Sequence, residues 1–267
     1  MPAPPCCGMT SRAILRAKWC GNNRPPSGDR RATLLIWIAG ALAITTVGFP
    51  AAARAQVAGS LNLETDYRLR GYSLSAGRPT ATAQISYDHR SGLYINAAAT
   101  GVARRDEAAL LGHQVNVGYA RQLSPTLSLD AGLLRSDYRP RYRGRPATHY
   151  SEAYVGLTVR RITARLSYSP HYFYKDVATL YGEVGAAVQP SANWRLNAHV
   201  GTLIYLRTPA YYYSKPPTKY DWRLGASRQF GQFEAHAALS GGGPGKEYYG
   251  GKLRNRTALT AGASWNF

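Results

Sequence analysis

After residue 56 the chain alternates apolar and polar residues with a period of two. Leu259, Ala261, Ala263, Trp265 and Phe267 fall on one parity, with Thr260, Gly262, Ser264 and Asn266 on the other. In 150–160, Ala153, Val155, Leu157 and Val159 alternate with Glu152, Tyr154, Gly156, Thr158 and Arg160. The same holds in 180–189 and 219–229, where Leu180, Val184 and Val188, and Trp222, Leu224 and Ala226, mark one face. A two-residue repeat gives a strand with one apolar and one polar face. It predicts twelve strands, near 59–69, 79–88, 92–101, 112–122, 126–137, 149–160, 162–170, 178–189, 193–205, 219–229, 231–240 and 256–267.

The connections alternate too. Long ones at 70–78, 102–111, 138–148, 171–177, 206–218 and 241–255 are separated by short ones, such as Ser124-Pro125, Pro190-Ser191-Ala192 and Phe230-Gly231. Outer-membrane barrels have short periplasmic turns and long outer loops, with an even strand count. A soluble β-sandwich has no reason to alternate in this way. The predicted fold is therefore all-β: an antiparallel, up-and-down transmembrane β-barrel of about twelve strands. Phe267, with Trp265 two positions before it on the same face, reads as a C-terminal signal for the barrel-assembly machinery, or equally as an interfacial girdle.

Residues 34–49 form the one long apolar run, preceded by Arg30 and Arg31 and followed by Ala53 and Ala55 in an A-x-A pattern. The run is short for a membrane anchor, which needs about 20 residues. Residues 1–55 are expected to be a cleaved signal peptide with a long n-region, starting at Met1 or Met9, and 56–267 the barrel. Cys6, Cys7 and Cys20 all precede the apolar run, so the barrel needs no disulfide or thiolate metal site. Composition agrees with strands and turns: the chain has 20 Tyr and 27 Gly but five Phe.

Several stretches resemble one family, the TorF-like porins of proteobacteria. They are Thr65-Asp66-Tyr67-Arg68-Leu69-Arg70-Gly71-Tyr72-Ser73, Ser91-Gly92-Leu93-Tyr94, Glu152-Ala153-Tyr154-Val155-Gly156-Leu157, Leu166-Ser167-Tyr168-Ser169-Pro170, His199-Val200-Gly201 and Tyr220-Asp221-Trp222-Arg223-Leu224-Gly225. The resemblance runs in order over most of 57–267. It implies a Gram-negative outer-membrane barrel with a transport role and brings no known substrate. The basic connection at 138–148 departs from the family pattern.

The formal charge of the whole chain is +19. On the polar parity stand Glu64, Asp66, Arg68, Asp130, Glu152, Arg160, Arg165, Glu183, Arg195, Asp221, Arg223 and Glu234. An Arg facing lipid at the bilayer midplane costs about 2–4 kcal/mol, so these side chains are expected to line the lumen. There they make either a polar pore with a transverse field or an ion-pair network that fills the barrel. The excess positive charge lies in the connections, at Arg139, Arg141, Arg143 and Arg145 and at Lys246, Lys252, Arg254 and Arg256. Such groups would concentrate anions at a channel mouth or contact lipopolysaccharide phosphates. Tyr172, Phe173, Tyr174, Tyr211, Tyr212, Tyr213, Tyr248 and Tyr249 cluster in the same connections and are expected in an interface girdle, the alternative being stacking on sugar rings of a solute.

The function expected is passive diffusion of small hydrophilic solutes, with a preference for anions. Expected partners are outer-membrane lipid and lipopolysaccharide, the assembly machinery and a small-molecule solute; the sequence does not fix the oligomeric state. The alternatives are a non-conducting structural or adhesive barrel, and a lipid hydrolase using His149 and Ser151, whose His-x-Ser spacing is the one enzymatic signal and lacks a third residue. Catalysis is not expected. Gly241-Gly242-Gly243-Pro244-Gly245-Lys246 lacks the Ser/Thr and helix of a phosphate loop. His113, His171, His199 and His236 lack metal spacing, so neither metal nor cofactor is expected. Nucleic acid is disfavoured because the basic residues accompany a signal peptide.

Overall fold

The computed structural model describes residues 56–104, 107–139, 147–208, 218–243 and 257–267. Its strands are β1 (Gln56–Glu64), β2 (Arg68–Leu69), β3 (Tyr72–Ser73), β4 (Thr80–Asp88), β5 (Leu93–Ala103), β6 (Ala108–Ser124) and β7 (Leu127–Tyr138). They continue with β8 (Thr148–Val159), β9 (Ile162–Ser169), β10 (Ala178–Ser191), β11 (Trp194–Arg207), β12 (Lys219–Phe230), β13 (Phe233–Gly242) and β14 (Thr257–Asn266). From β4 to β14 each strand pairs antiparallel with the next, and β1 closes the ring between β4 and β14. Twelve strands thus form a closed barrel, and β2 and β3 make a small separate hairpin.

Closure follows from the chemistry of the two faces. Leu63, Ile85, Leu133, Val155 and Leu259 point outward and are exposed. Thr82, Asn96, Asn116, Ser136 and Ser169 point inward and are buried. Apolar side chains around the whole outer wall suit hydrocarbon, and in hydrocarbon an open edge would leave backbone N–H and C=O groups unpaired. A closed antiparallel cylinder with an apolar outside and a polar inside is the architecture of the Gram-negative outer membrane, which is where this chain belongs.

Each of the twelve expected segments overlaps one barrel strand, and the ends differ for physical reasons. β1 stops at Glu64 rather than near 69. Beyond it the Asp66 side chain gathers hydrogen bonds from Ser73, Ser75 and Gly77, and such local bonds compete with a strand ladder. Asp66 and Arg68, expected on a barrel strand, therefore lie in a loop. The β5–β6 connection is short, residues 104–107, because both strands run past their expected ends. Arg160, expected on the lumen face, stands exposed in the two-residue turn between β8 and β9, with a positive φ of 55°.

The turn end carries an aromatic rim of Trp194, Phe230, Phe233, Trp265 and Phe267, all exposed. Phe267 and Gly59 exchange backbone hydrogen bonds of 2.8 and 3.0 Å, and the Phe267 ring lies 4.8 Å from that of Trp265.

Candidate functional site: the lumen and its inserted loop

Residues 65–79 connect β1 to β4 but do not stay on the β1 side of the barrel. β2 and β3 pair as a hairpin, Arg68 with Ser73 and Leu69 with Tyr72. Its two tip residues, Arg70 and Gly71, have φ of 49° and 78°. Positive φ at both central positions matches the twist of a two-residue hairpin. Asp66 braces the base. Its Oδ1 accepts from Ser73 Oγ at 2.5 Å, Ser75 Oγ at 2.7 Å and the Gly77 N–H at 3.0 Å. Its Oδ2 accepts from Arg68 Nη1 at 3.1 Å, while Arg68 Nη2 donates to the Gly71 carbonyl at 2.7 Å.

The tip reaches the far wall. Arg70 Nη2 donates to Glu152 Oε2 at 2.8 Å, and Nη1 stands 2.8 Å from Oε1. The guanidinium carbon sits 3.9 Å from the centre of the Tyr181 ring and 5.3 Å from that of Tyr172. Glu152 is on β8 and Tyr181 on β10, flanking β9, which is six strands from β1 in either direction round the ring. The loop therefore spans the lumen. Burial by itself would lower the Arg70 pKa, but the Glu152 carboxylate together with the Tyr172 and Tyr150 side chains outweighs it and holds the group above the ordinary guanidinium range. Around this contact Tyr67, Leu69, Tyr138, Tyr150, Tyr172 and Leu203 belong to a buried apolar cluster. Tyr172 and Phe173, expected in a girdle, turn inward to Tyr150 at 5.2 and 5.0 Å between ring centres, and Tyr174 alone of the three is exposed.

Below the loop the lumen is lined unevenly. Along β5–β9 it is filled. Arg165 Nη2 donates to Asp130 Oδ2 at 2.6 Å, reaching past Gly156, the residue between them in the register. Tyr94 Oη donates to Asp130 Oδ1 at 2.6 Å and touches the Tyr154 hydroxyl, which donates to Asn116 at 2.9 Å. Tyr94 and Tyr154 lie flat over Gly118 and Gly132, where a Cβ would collide with their rings. Along β10–β12, by contrast, the inward residues Glu183, Arg195, Asn197, His199 and Arg223 are half-buried. Here His199 joins two acids: its Nε2 is 2.9 Å from Asp221 Oδ1 and its Nδ1 3.6 Å from Glu183 Oε2. Tyr181 Oη donates to Asp221 at 3.1 Å. On the remaining wall Glu64 stands 3.7 Å from His236, and Glu234 is buried on β13.

Of the residues expected to line the lumen, Glu64, Asp130, Glu152, Arg165, Glu183, Arg195, Asp221, Arg223 and Glu234 stand at inward-facing strand positions. Asp66 and Arg68 reach the lumen through the loop, and Arg160 does not. The sequence reading missed Arg70, His199, Tyr94, Tyr154 and Tyr181. Tyr154 and Tyr181 already stand on the polar parity in the sequence, but no spacing marks which hydroxyls, imidazole or loop arginine meet the lumen acids. Arg139 is exposed and carries the β6–β7 ladder one bond further, from its N–H to the Leu111 carbonyl at 2.8 Å. Arg141, Arg143, Arg145, Lys246, Lys252, Arg254 and Arg256 lie outside the described residues, as do Tyr211, Tyr212, Tyr213, Tyr248 and Tyr249 of the expected girdle and the expected leader, residues 1–55.

His149 and Ser151 sit on the outer parity near the loop end of β8, opposite Asp137 and Arg135. The third residue missing from the sequence motif, Asp137, is thus present beside His149. It is held by two hydrogen bonds of 3.0 Å from Arg135, which also donates to Ser151 Oγ at 3.2 Å. The serine oxygen is engaged by a guanidinium rather than by a base, an arrangement that does not activate a nucleophile.

Among solved structures the chain is similar to the KdgM porin, at 10% identity over 79% of this chain and 99% of that one, with a TM-score of 0.49. It is similar to the NanC porin at 12% identity over 77% and 98%, with a TM-score of 0.49. A Salmonella typhi OmpF complex with daunomycin matches at 8% identity over 80% and 98%, with a TM-score of 0.42. No curated protein matches the sequence. Residues 50–260 match the profile of a family described as a bacterial protein of unknown function (Gcw_chp), and by that match the chain belongs to this family.

Proposed function

We propose that this barrel is a porin-like channel for small hydrophilic solutes, which pass beside the inserted loop and down the β10–β12 wall. The observation that carries the reading is the uneven lining: inward polar side chains are sealed along β5–β9, whereas Glu183, Arg195, Asn197, His199 and Arg223 along β10–β12 are only partly buried. A water-accessible polar wall inside a membrane barrel is what a diffusing solute requires. The order of the TorF-like stretches supports the same transport role. Basic outer connections, with the exposed Arg139 at the start of one, would favour anions and would also contact lipopolysaccharide phosphates. The aromatic rim that ends in Trp265 and Phe267 is the segment offered to the assembly machinery.

Planar-bilayer recording of the refolded barrel tests the proposal. Discrete conductance steps with a reversal potential favouring chloride are expected; a silent barrel would reject the channel. A second reading, a non-conducting structural barrel, is favoured by the loop that crosses the lumen and by the sealed β5–β9 side. The same recording separates the two.

A further inference from the structure

We infer that Arg223 and Ser240 form an oxyanion subsite in the lumen, one that takes the carboxylate or phosphate group of a solute in transit. The inference rests on the channel reading and adds the chemical class of the solute and where it binds.

The arginines of the lumen differ in how they are neutralised. Arg68 is paired with Asp66 at 3.1 Å, Arg70 with Glu152 at 2.8 Å and Arg165 with Asp130 at 2.6 Å. Arg223 has neither ion pair nor hydrogen bond among the described residues, and its Nε is a buried donor without an acceptor. The nearest acid along its own strand, Asp221, is already engaged by Tyr181 and by His199. Directly across the register from Arg223 on β13 stands Ser240, whose buried Oγ also lacks a partner. Opposed side chains on neighbouring strands have Cβ atoms about 4.5–5.5 Å apart, so one oxyanion can receive both. A buried polar group left without a partner is costly, and two facing each other mark a place where a ligand restores the bonds.

The position suits a transit site. Gly71 of the inserted loop packs against Gly243, and the adjacent Gly242 pairs with Asp221. Arg223 is the next inward-facing residue below that contact. It is half-buried, with small neighbours on the inner face at Gly225 and Ala238. A solute that clears the loop meets a forked donor that no acid among the described residues pairs. Guanidinium geometry fits carboxylate and phosphate alike, and the serine hydroxyl adds a further donor.

The test uses the refolded full-length barrel in planar bilayers, with inorganic phosphate and, separately, acetate titrated into a chloride current. Both anions are expected to reduce the wild-type current. Arg223→Gln should weaken the apparent affinity about tenfold, Ser240→Ala by less, and Arg161→Gln, in an exposed turn, not at all. A stronger effect of phosphate or of acetate tells which oxyanion the site prefers. Folding of each variant is checked by heat-modifiable gel mobility. Conducting Arg223→Gln barrels with unchanged anion affinity would overturn the subsite and leave the channel standing. If the wild type does not conduct, the channel reading fails by itself, and calorimetric titration of the same barrel with phosphate and acetate decides the subsite. Binding that disappears in Arg223→Gln supports it, and a wild type that binds neither overturns it.

Discussion

Arg70 and Glu152 meet as a salt bridge across the whole width of the barrel, with Nη1 2.8 Å from Oε1 and both side chains almost fully buried. A loop that leaves the wall at β1 is fastened there to the strands facing it. The link is strong because the tip carries a rigid guanidinium clamped over the Tyr181 ring, at 3.9 Å. Removing one partner of a buried pair leaves the other charge uncompensated, at a cost of about 3–5 kcal/mol when nothing relaxes. Here the loop can relax by swinging out. Glu152→Gln and Arg70→Ala should therefore each widen the channel and raise single-channel conductance. The double variant should add little to either single one. No gain in either variant would show that the loop does not limit the pore, and additive gains would show that Arg70 and Glu152 act separately rather than as one fastening.

Gly71 is the second fastening point. Its φ is 78°, and a Cβ there would stand 2.5 Å from the Gly243 backbone nitrogen. Neither strain can be relieved by rotating a side chain, since both obstacles are backbone. Gly71→Ala should leave the barrel folded but free the loop. Limited trypsin digestion then cuts after Arg68 or Arg70, sites that the native loop protects. A variant as resistant as wild type would contradict this docking.

The cylinder was legible because lipid enforces a strict period of two, and twelve segments with an alternating loop length leave few other folds. The loop was not. Thr65 to Leu69 reads as a continuation of β1, and only the way Asp66 gathers Ser73, Ser75 and Gly77 shows that the chain has already turned away. Which arginine is left unpaired was equally hidden. Arg165 and Arg223 look alike in sequence. The difference is that Asp130 lies two strands from Arg165 with a glycine between them, which depends on register.

That pairing gives a stability prediction of its own. Arg165 and Asp130 are 2.6 Å apart, with side chains 5% and 9% exposed, and Tyr94 donates to the same carboxylate. Asp130→Ala should destabilise the barrel by about 3–5 kcal/mol, as expected for a buried charge left alone. Asp130→Asn with Arg165→Met should recover much of that loss, because neither charge then remains. Urea unfolding in lipid vesicles, followed by tryptophan fluorescence, measures both. A double variant as weak as Asp130→Ala would mean that hydrogen bonding by the carboxylate, rather than its charge balance, holds this wall.

The outer face makes the opposite demand. Leu133 sits in the middle of β7, points away from the lumen and is 66% exposed. Its neighbours in the ladder, Val117 and Ala153, also face outward and are apolar, so neither can solvate a charge placed between them. Leu133→Arg should cost about 2–4 kcal/mol in vesicles, the penalty for a cation at the bilayer midplane. An arginine at Val57, close to the turn rim where headgroups and water reach it, should cost about 1 kcal/mol or less. The depth dependence is the telling part. Steric damage to a strand would not follow distance from the midplane, whereas hydrocarbon desolvation must. Equal penalties at Leu133 and Val57 would mean that this wall does not face lipid.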